Sequence, residues 1–325
     1  MEKETKGGRI TDSPLPGLVF LGTPDFAVPS LRTLVESGAP VRLVVTQPDR
    51  PSGRGRKVAP PPVKILANRY EIPVYQPPRI RGAEVIRKIK SFGVECAVVA
   101  AFGQIFPQEF LDAFALGTLN VHASLLPRYR GAAPIQRAIL SGDETTGISI
   151  MLLDAGMDTG PVLSRREISI EAGDTFGTVH DRLAQTGAEL LQETLGGWCA
   201  GRIVPQVQDE SLATYAPPLR KEEFRIDWNV EAKDIIRRIR AFDPHPGAYF
   251  LYEKKRIKCF RAVAFAWTGD GEPGEIAGMS ESGLVVMGGD RRALAIGDLQ
   301  MEGQRRMSAQ DFVRGRPIPA GSFLE

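Results

Sequence analysis

The chain has 325 residues, 42% of them hydrophobic and 25% charged, which is the composition of an ordinary globular protein rather than a fibrous or disordered one. Single cores rarely grow far beyond about 250 residues, so two domains are expected. A formal net charge of +2 excludes attraction of nucleic acid by bulk charge, and any basic surface must come from local clustering.

No apolar run approaches the roughly 20 residues that span a bilayer. Residues 1–15 read as a polar tail without the apolar core of a signal peptide. Cys96, Cys199 and Cys259 are far apart, odd in number and in no metal-ligand spacing. A reduced, cytoplasmic protein without a bound metal is therefore expected.

In chain order, 17–22 (GLVFLG) is a short apolar run bounded by glycines, the signature of a buried parallel strand. A helical pattern over 27–36 and a strand over 41–47 complete a βαβ unit, which opens a doubly wound, Rossmann-like α/β sheet. No GxGxxG run follows the first strand, so a nicotinamide cofactor has no support. Asp25 reads as the cap of the first helix in preference to a site residue. The stretch 47–64 carries Arg50, Arg54, Arg56, Lys57 and Lys64 against Asp49 alone. Its prolines argue against regular structure. It is either a solvated surface loop or, placed at a strand's carboxyl end, a mobile cradle for a phosphate backbone. A helix over 63–69, a strand over 73–76, an amphipathic helix over 83–92 and a buried strand over 95–102 follow, then a short helix over 108–115.

The stretch 117–163 holds the residues best suited to chemistry. A strand through Leu119, Val121 and Ala123 puts Asn120 and His122 on one face. Asn120 can donate to a developing oxyanion, and His122 can supply positive charge or handle a proton near neutral pH. After the loop 128–134, a helix over 135–140 and a strand over 147–153, the Gly-rich turn 154–161 offers Asp154 and Asp158 as carboxylate partners for the imidazole. The bland alternative is a satisfied core histidine beside turn-forming aspartates. Beyond it lie a strand over 162–170 and a long amphipathic helix from Phe176, in which His180 is a packing or surface residue. An extended, Pro-containing stretch over 202–219 reads as a linker. After a helix over 230–242, five short strands between 248 and 299, set off by Gly-containing turns, describe a small β-barrel of the OB type. Lys254, Lys255, Arg256, Lys258 and Arg261, interleaved with Phe260, give it a basic face.

Three runs in this order resemble the folate-dependent formyltransferase family: Asn120-Val121-His122-Ala123-Ser124-Leu125-Leu126-Pro127, Arg128-Tyr129-Arg130-Gly131-Ala132-Ala133-Pro134-Ile135-Gln136, and Asp154-Ala155-Gly156-Met157-Asp158-Thr159-Gly160-Pro161. Each alone is a weak signal; the three together are strong. The Arg225-Ile226-Asp227-Trp228 and Met307-Ser308-Ala309-Gln310-Asp311-Phe312 segments extend the likeness over 17–315.

The resemblance implies a Rossmann-like formyltransferase domain over 16–201, a linker over 202–219 and an OB-like tRNA-binding domain over 220–325. It implies 10-formyltetrahydrofolate as formyl donor and the amine of methionyl-initiator tRNA as acceptor. Asn120, His122 and Asp158 would be catalytic, with Asp158 preferred over Asp154 because it aligns with the family's catalytic Asp. Phe102, Gly103, Gln104 and Ile105 would border the pterin, together with Ser124, Leu125, Leu126, Pro127, Asp154 and Gly156. The basic stretch matches an insertion that holds the acceptor stem, with Arg54 at its central Arg beside Arg50, Arg56 and Lys57; Lys254, Lys255 and Arg256 would add contacts from the barrel. A monomer is implied. A family member acting on a nucleotide-linked amine, a non-catalytic RNA binder on the same scaffold, and a hydrolase passing the formyl group to water stay open as rivals.

Overall fold

The computed structural model describes residues 15–52 and 57–325. The chain forms two compact units, each discontinuous in sequence. The first takes the chain up to Arg130, then Gly147–Ile168 and Asp181–Tyr215; the second takes Gly131–Thr146, Ser169–His180 and Ala216–Glu325.

The first unit is built on a seven-stranded sheet. Its strands are β1 (Leu18–Gly22), β2 (Val41–Val45), β3 (Val74–Tyr75), β4 (Cys96–Ala100), β5 (Thr118–His122), β6 (Thr145–Leu152) and β7 (Val162–Ser169), in the order β7-β6-β5-β4-β1-β2-β3. From β3 to β5 all neighbours are parallel, and β6 then runs antiparallel to β5. β1 and β4 are buried along their whole length, as a parallel sheet covered on both faces requires. Alternate residues Val19, Leu21, Leu43, Val45, Ala97 and Val99 join one core cluster with Ile89 and Phe110. Ile89 comes from helix α3 (Ala83–Lys90) and Phe110 from α4 (Gln108–Leu111), after α1 (Val28–Glu36) and α2 (Pro62–Arg69).

Two local expectations fail here. Asp25 does not cap α1. It begins a 3₁₀ turn, Asp25–Ala27, where its carboxylate accepts the Phe26 N–H, and Ala27 is the residue before α1. The basic stretch is not structureless either. Arg50–Ser52 and Lys57–Ala59 pair as an antiparallel ribbon, with Pro51 opposite Val58. A two-stranded ribbon is all edge, and an edge is where a sheet tolerates proline. Arg54 and Arg56 lie outside the described residues, as do 1–14 of the expected tail.

The second unit carries α5 (Pro134–Ser141), α7 (Ala232–Phe242) and a β-barrel; α6 (Phe176–Cys199) supplies its first turn to this unit and the rest to the first. The barrel strands are β8 (Ala248–Tyr252), β9 (Lys255–Phe265), β10 (Ile276–Ser280), β11 (Gly283–Met287) and β12 (Ala293–Met301), in the order β8-β9-β12-β11-β10. The two outer strands are bridged by residues 321–325. Gly321 and Leu324 donate to carbonyls of Ile276 and Gly274, Ile276 donates to Ser322, and Glu325 exchanges both backbone bonds with Leu251. A short β13 (Met307–Ser308) leads into α8 (Ala309–Gly315), whose first turn is capped by Ser308 accepting the Asp311 N–H at 3.1 Å. Not every hairpin uses glycine. β8 turns into β9 through Glu253 and Lys254, both left-handed at φ 49° and 62°, a conformation that costs non-glycine residues roughly 1–2 kcal/mol each. Phe260 does not interleave with surface cations. It is buried, with the Arg306 guanidinium 4.2 Å above its ring.

All three cysteines are free. Burial pushes the Cys96 and Cys259 thiols far up, and raises the half-buried Cys199 as well. Because the thiolate is the reactive form, a thiol reagent at neutral pH should leave Cys96 and Cys259 untouched in the native protein and modify all three after unfolding. Rapid labelling of native Cys96 or Cys259 would refute this burial. Among the described residues no helix is long and apolar enough to cross a membrane, and no group of His, Cys, Asp and Glu could hold a metal ion.

Candidate active site

β5 lies inside the sheet, between β4 and β6. Its one half-buried position is Asn120, paired on either side with Val99 and Met151; the other four are buried. His122 ends the strand and is 6% exposed. The chain then turns through 123–131. Ser149 on β6 holds this turn, donating to the Ser124 carbonyl at 2.7 Å and accepting the Leu126 N–H at 3.0 Å.

Both nitrogens of the His122 ring have acceptors. Nε2 lies 3.0 Å from the Tyr129 carbonyl oxygen, and Nδ1 lies 3.6 Å from Oδ2 of Asp158. A carbonyl only accepts, so Nε2 carries a hydrogen. A second proton, on Nδ1, would sit against the Asp158 carboxylate. The ring thus has a carbonyl oxygen at one nitrogen and a carboxylate at the other, though the Asp158 contact is longer than a hydrogen bond. Catalytic contacts of this kind commonly tighten when substrate arrives. Tyr129 and Asp158 both adopt positive φ, 59° and 54°, and Ala101, just past β4, does so at 47°. Strain of this kind is kept where surrounding structure over-determines it, most often at functional sites.

Asp154 has a different place. Its Oδ1 accepts the Gly156 N–H at 3.0 Å and the Thr159 hydroxyl at 2.7 Å, so it shapes the turn that carries Asp158. Gly156 and Gly160 are required there. A Cβ on Gly156 would overlap the Thr159 hydroxyl, and one on Gly160 would overlap the Leu152 carbonyl oxygen.

The residues expected around the pterin divide into two groups. Phe102 is buried in the core against Phe106, and its carbonyl accepts from Thr23 and Gln47 at 3.3 and 3.2 Å. The Gln104 side chain holds the neighbouring segment by accepting from the Ile80 N–H at 2.8 Å. Ser124 is buried and donates to the Arg128 carbonyl, while Leu126 packs with Met151 and Val162. Gly103 takes φ 80°, and Leu125 and Pro127 are half-buried. Ile105 is 89% exposed and Met157 62% exposed, leaving apolar side chains in water near the strand ends.

Of the residues expected to meet RNA, Arg50 is exposed and donates to Gln47 at 3.3 Å, and the Lys57 backbone lies on the ribbon opposite Ser52. Lys64, the last cation of that stretch, is held by the Asp49 carboxylate at 2.8 Å and by Gln76. That bond holds the Asp49 carboxyl below its ordinary range. On the barrel, Lys254 and Lys255 are exposed at the β8–β9 turn, and the Arg256 guanidinium stacks 3.8 Å from the Tyr249 ring. Arg261 is paired with Asp298 at 2.5 Å.

The sequence reading passes over Arg130. Its side chain is fully buried, bound to both Glu210 carboxylate oxygens at 2.8 Å and twice to Oε1 of Gln208, at 3.0 and 2.9 Å. These bonds raise the guanidinium further and hold Glu210 below its ordinary range. The partners lie about 80 residues away, inside the stretch expected to be a linker.

Residues 18–195 match the formyl transferase family and residues 218–317 match the formyl transferase C-terminal domain. The chain is 46% identical over 307 residues to the methionyl-tRNA formyltransferase of Citrifermentans bemidjiense, covering 94% of this chain and 96% of that protein. The chain belongs to the methionyl-tRNA formyltransferase family. The Bacillus subtilis member is 45% identical, over 94% of this chain and 97% of its own. Two solved structures share the fold at low identity. HypX from Aquifex aeolicus in complex with tetrahydrofolic acid superposes with a TM-score of 0.62 at 18% identity, over 96% of this chain and 51% of that one. The methionyl-tRNA formyltransferase from Clostridium thermocellum gives 0.52 at 19%, over 77% and 93%.

Proposed function

We infer that this chain transfers the formyl group of 10-formyltetrahydrofolate to the free amine of methionyl-initiator tRNA, with Asn120, His122 and Asp158 at the reacting atoms. The observation that carries the reading is the His122 ring, held between Asp158 and the Tyr129 carbonyl on the strand that bears Asn120. The folate, when bound, supplies the formyl carbon. Asn120 donates to the formyl oxygen as negative charge develops there, and a protonated His122 stabilises the same charge. Asp158 favours the imidazolium and passes a proton, directly or through water, from the amine towards the leaving nitrogen. Ile105 and Met157 supply apolar surface for the pterin, and Gly103, Leu125, Pro127 and the backbone of Phe102, Gln104, Ser124 and Leu126 border it. Asp154 and Gly156 shape the turn beside it.

Residues 16–201 carry the chemistry and 220–325 hold RNA. Arg50, Arg54, Arg56 and Lys57 of the basic stretch meet the acceptor stem, and Lys254, Lys255 and Arg256 of the barrel meet backbone phosphates. The enzyme works in the cytoplasm as a monomer.

The test is to supply 10-formyltetrahydrofolate with methionine-charged initiator tRNA, and with charged elongator tRNA alongside. Formylation of the initiator alone is expected; folate turnover without formylated tRNA would sink the assigned acceptor and point to nucleotide-linked amines or water. Arg54→Ala should raise KM for tRNA and reduce the slope of log K against log salt by about one, the share of a single phosphate contact. An unchanged slope would remove Arg54 from the interface.

A further inference from the structure

The stretch 206–214 is bonded to both loops that flank His122. On one side, the peptide joining Tyr129 and Arg130 aims its carbonyl at Nε2 of His122 and its N–H at the Thr214 carbonyl, at 3.0 and 2.9 Å. The Tyr129 N–H is accepted by the Thr214 hydroxyl at 2.9 Å, and the Thr214 N–H reaches back to the Pro127 carbonyl at 3.3 Å. Tyr129 is thereby held in its left-handed conformation. On the other side, Gln208 is 5% exposed and spends both amide protons on the turn that carries Asp158, giving one to the Asp158 carbonyl at 2.8 Å and one to the Gly160 carbonyl at 2.7 Å. Its oxygen accepts two bonds from buried Arg130, which also donates to both carboxylate oxygens of Glu210.

A buried guanidinium and amide are a costly way to glue two loops together, since apolar groups of the same volume would hold them as well or better. What directional bonds add is position. The two groups facing the imidazole nitrogens belong to separate loops, and this one stretch sets both. We propose that Gln208 and Thr214 are positioning residues for formyl transfer: they fix the Asp158 carboxylate and the Tyr129 carbonyl on opposite nitrogens of His122, with Arg130 locking Gln208 in register. The proposal rests on the reading of His122 and Asp158 as the catalytic pair.

Gln208→Glu tests one arm and Thr214→Val the other. Glu keeps the acceptor for Arg130 but turns a carboxylate oxygen on the two carbonyls that Gln208 now serves. Val keeps the shape of an exposed Thr214 and removes only its hydroxyl. The readouts are kcat, KM for folate and tRNA, and the imidazole NMR signals. The chain has three histidines, so the His122 signals are assigned by their loss in His122→Asn. Displacing a reacting group by about 1 Å costs on the order of 10²-fold, so Gln208→Glu should lower kcat by about that factor with both KM values unchanged. Thr214→Val should lower kcat about tenfold by the same argument. In both variants the His122 signals should move while those of His180 and His245 stay. Unchanged kcat, or a fall in kcat with the His122 signals unmoved, overturns the proposal. Should Gln208→Glu fail to fold, Thr214→Val decides by the same two criteria. Full activity in His122→Asn would instead remove the catalytic pair, and the proposal with it.

Discussion

Asn120→Ala and Asp158→Asn are each expected to lower kcat/KM for formyl transfer by about 10²–10³-fold, the usual loss on removing a donor or charge aimed at a transition state. Neither change should disturb the fold. Asn120 is held in β5 by backbone pairing to Val99 and Met151, and its half-buried side chain is outside that ladder. Asn at 158 keeps the volume of Asp and tolerates the positive φ of 54°, so the substitution isolates the charge that faces Nδ1 of His122. The loss should fall on kcat, with KM for tRNA unaltered, because the proposed mechanism places both groups at the reacting centre rather than at remote parts of the substrate. Single-turnover formylation separates the two. Turnover close to the parent rate in either variant would remove that residue from the chemistry.

The Asp158 turn depends as much on the atom missing from Gly160 as on the groups present. A methyl there would overlap the Leu152 carbonyl oxygen, which is backbone of β6 and not a flexible tip. Gly160→Ala must therefore move the turn, and Gln208, which holds both Asp158 and Gly160, cannot keep both bonds. A shift of about 1 Å at Asp158 predicts a loss of about 10² in kcat. A lowered Tm should accompany it. A variant with normal kcat would show that the turn can relax without moving the carboxylate.

Much of this architecture is legible in the sequence because it follows from burial. The apolar runs at 18–22 and 96–100 can only be strands buried on both faces, and the alternation around Asn120 and His122 places both on one strand. The chemistry of 154–161 is legible as a turn with two carboxylates, but only the family resemblance, not the residue pattern, prefers Asp158 over Asp154. Which one faces the imidazole depends on Asp158 taking a left-handed φ while Asp154 bonds Thr159. Arg130 is illegible for a deeper reason. An Arg in a Gly- and Pro-containing loop reads as solvated, and nothing local announces that Gln208 and Glu210 close over it. The pairing of 50–52 with 57–59 and the burial of Phe260 escape pattern reading likewise, since each is decided by a partner strand or a neighbouring guanidinium.

The way residues 321–325 bridge the outer barrel strands bears on how the second unit is made in the cell. Synthesis is vectorial, and the bridging residues follow all five strands they complete. Until they emerge, Leu251 on β8 and Ile276 on β10 lack these backbone partners, and unpaired edge groups of this kind invite another chain to pair. The second unit therefore passes through an interval as an open sheet, and a chain truncated before residue 321 would stay in it. Such a chain could retain a well-formed first unit and still be lost to aggregation or proteolysis.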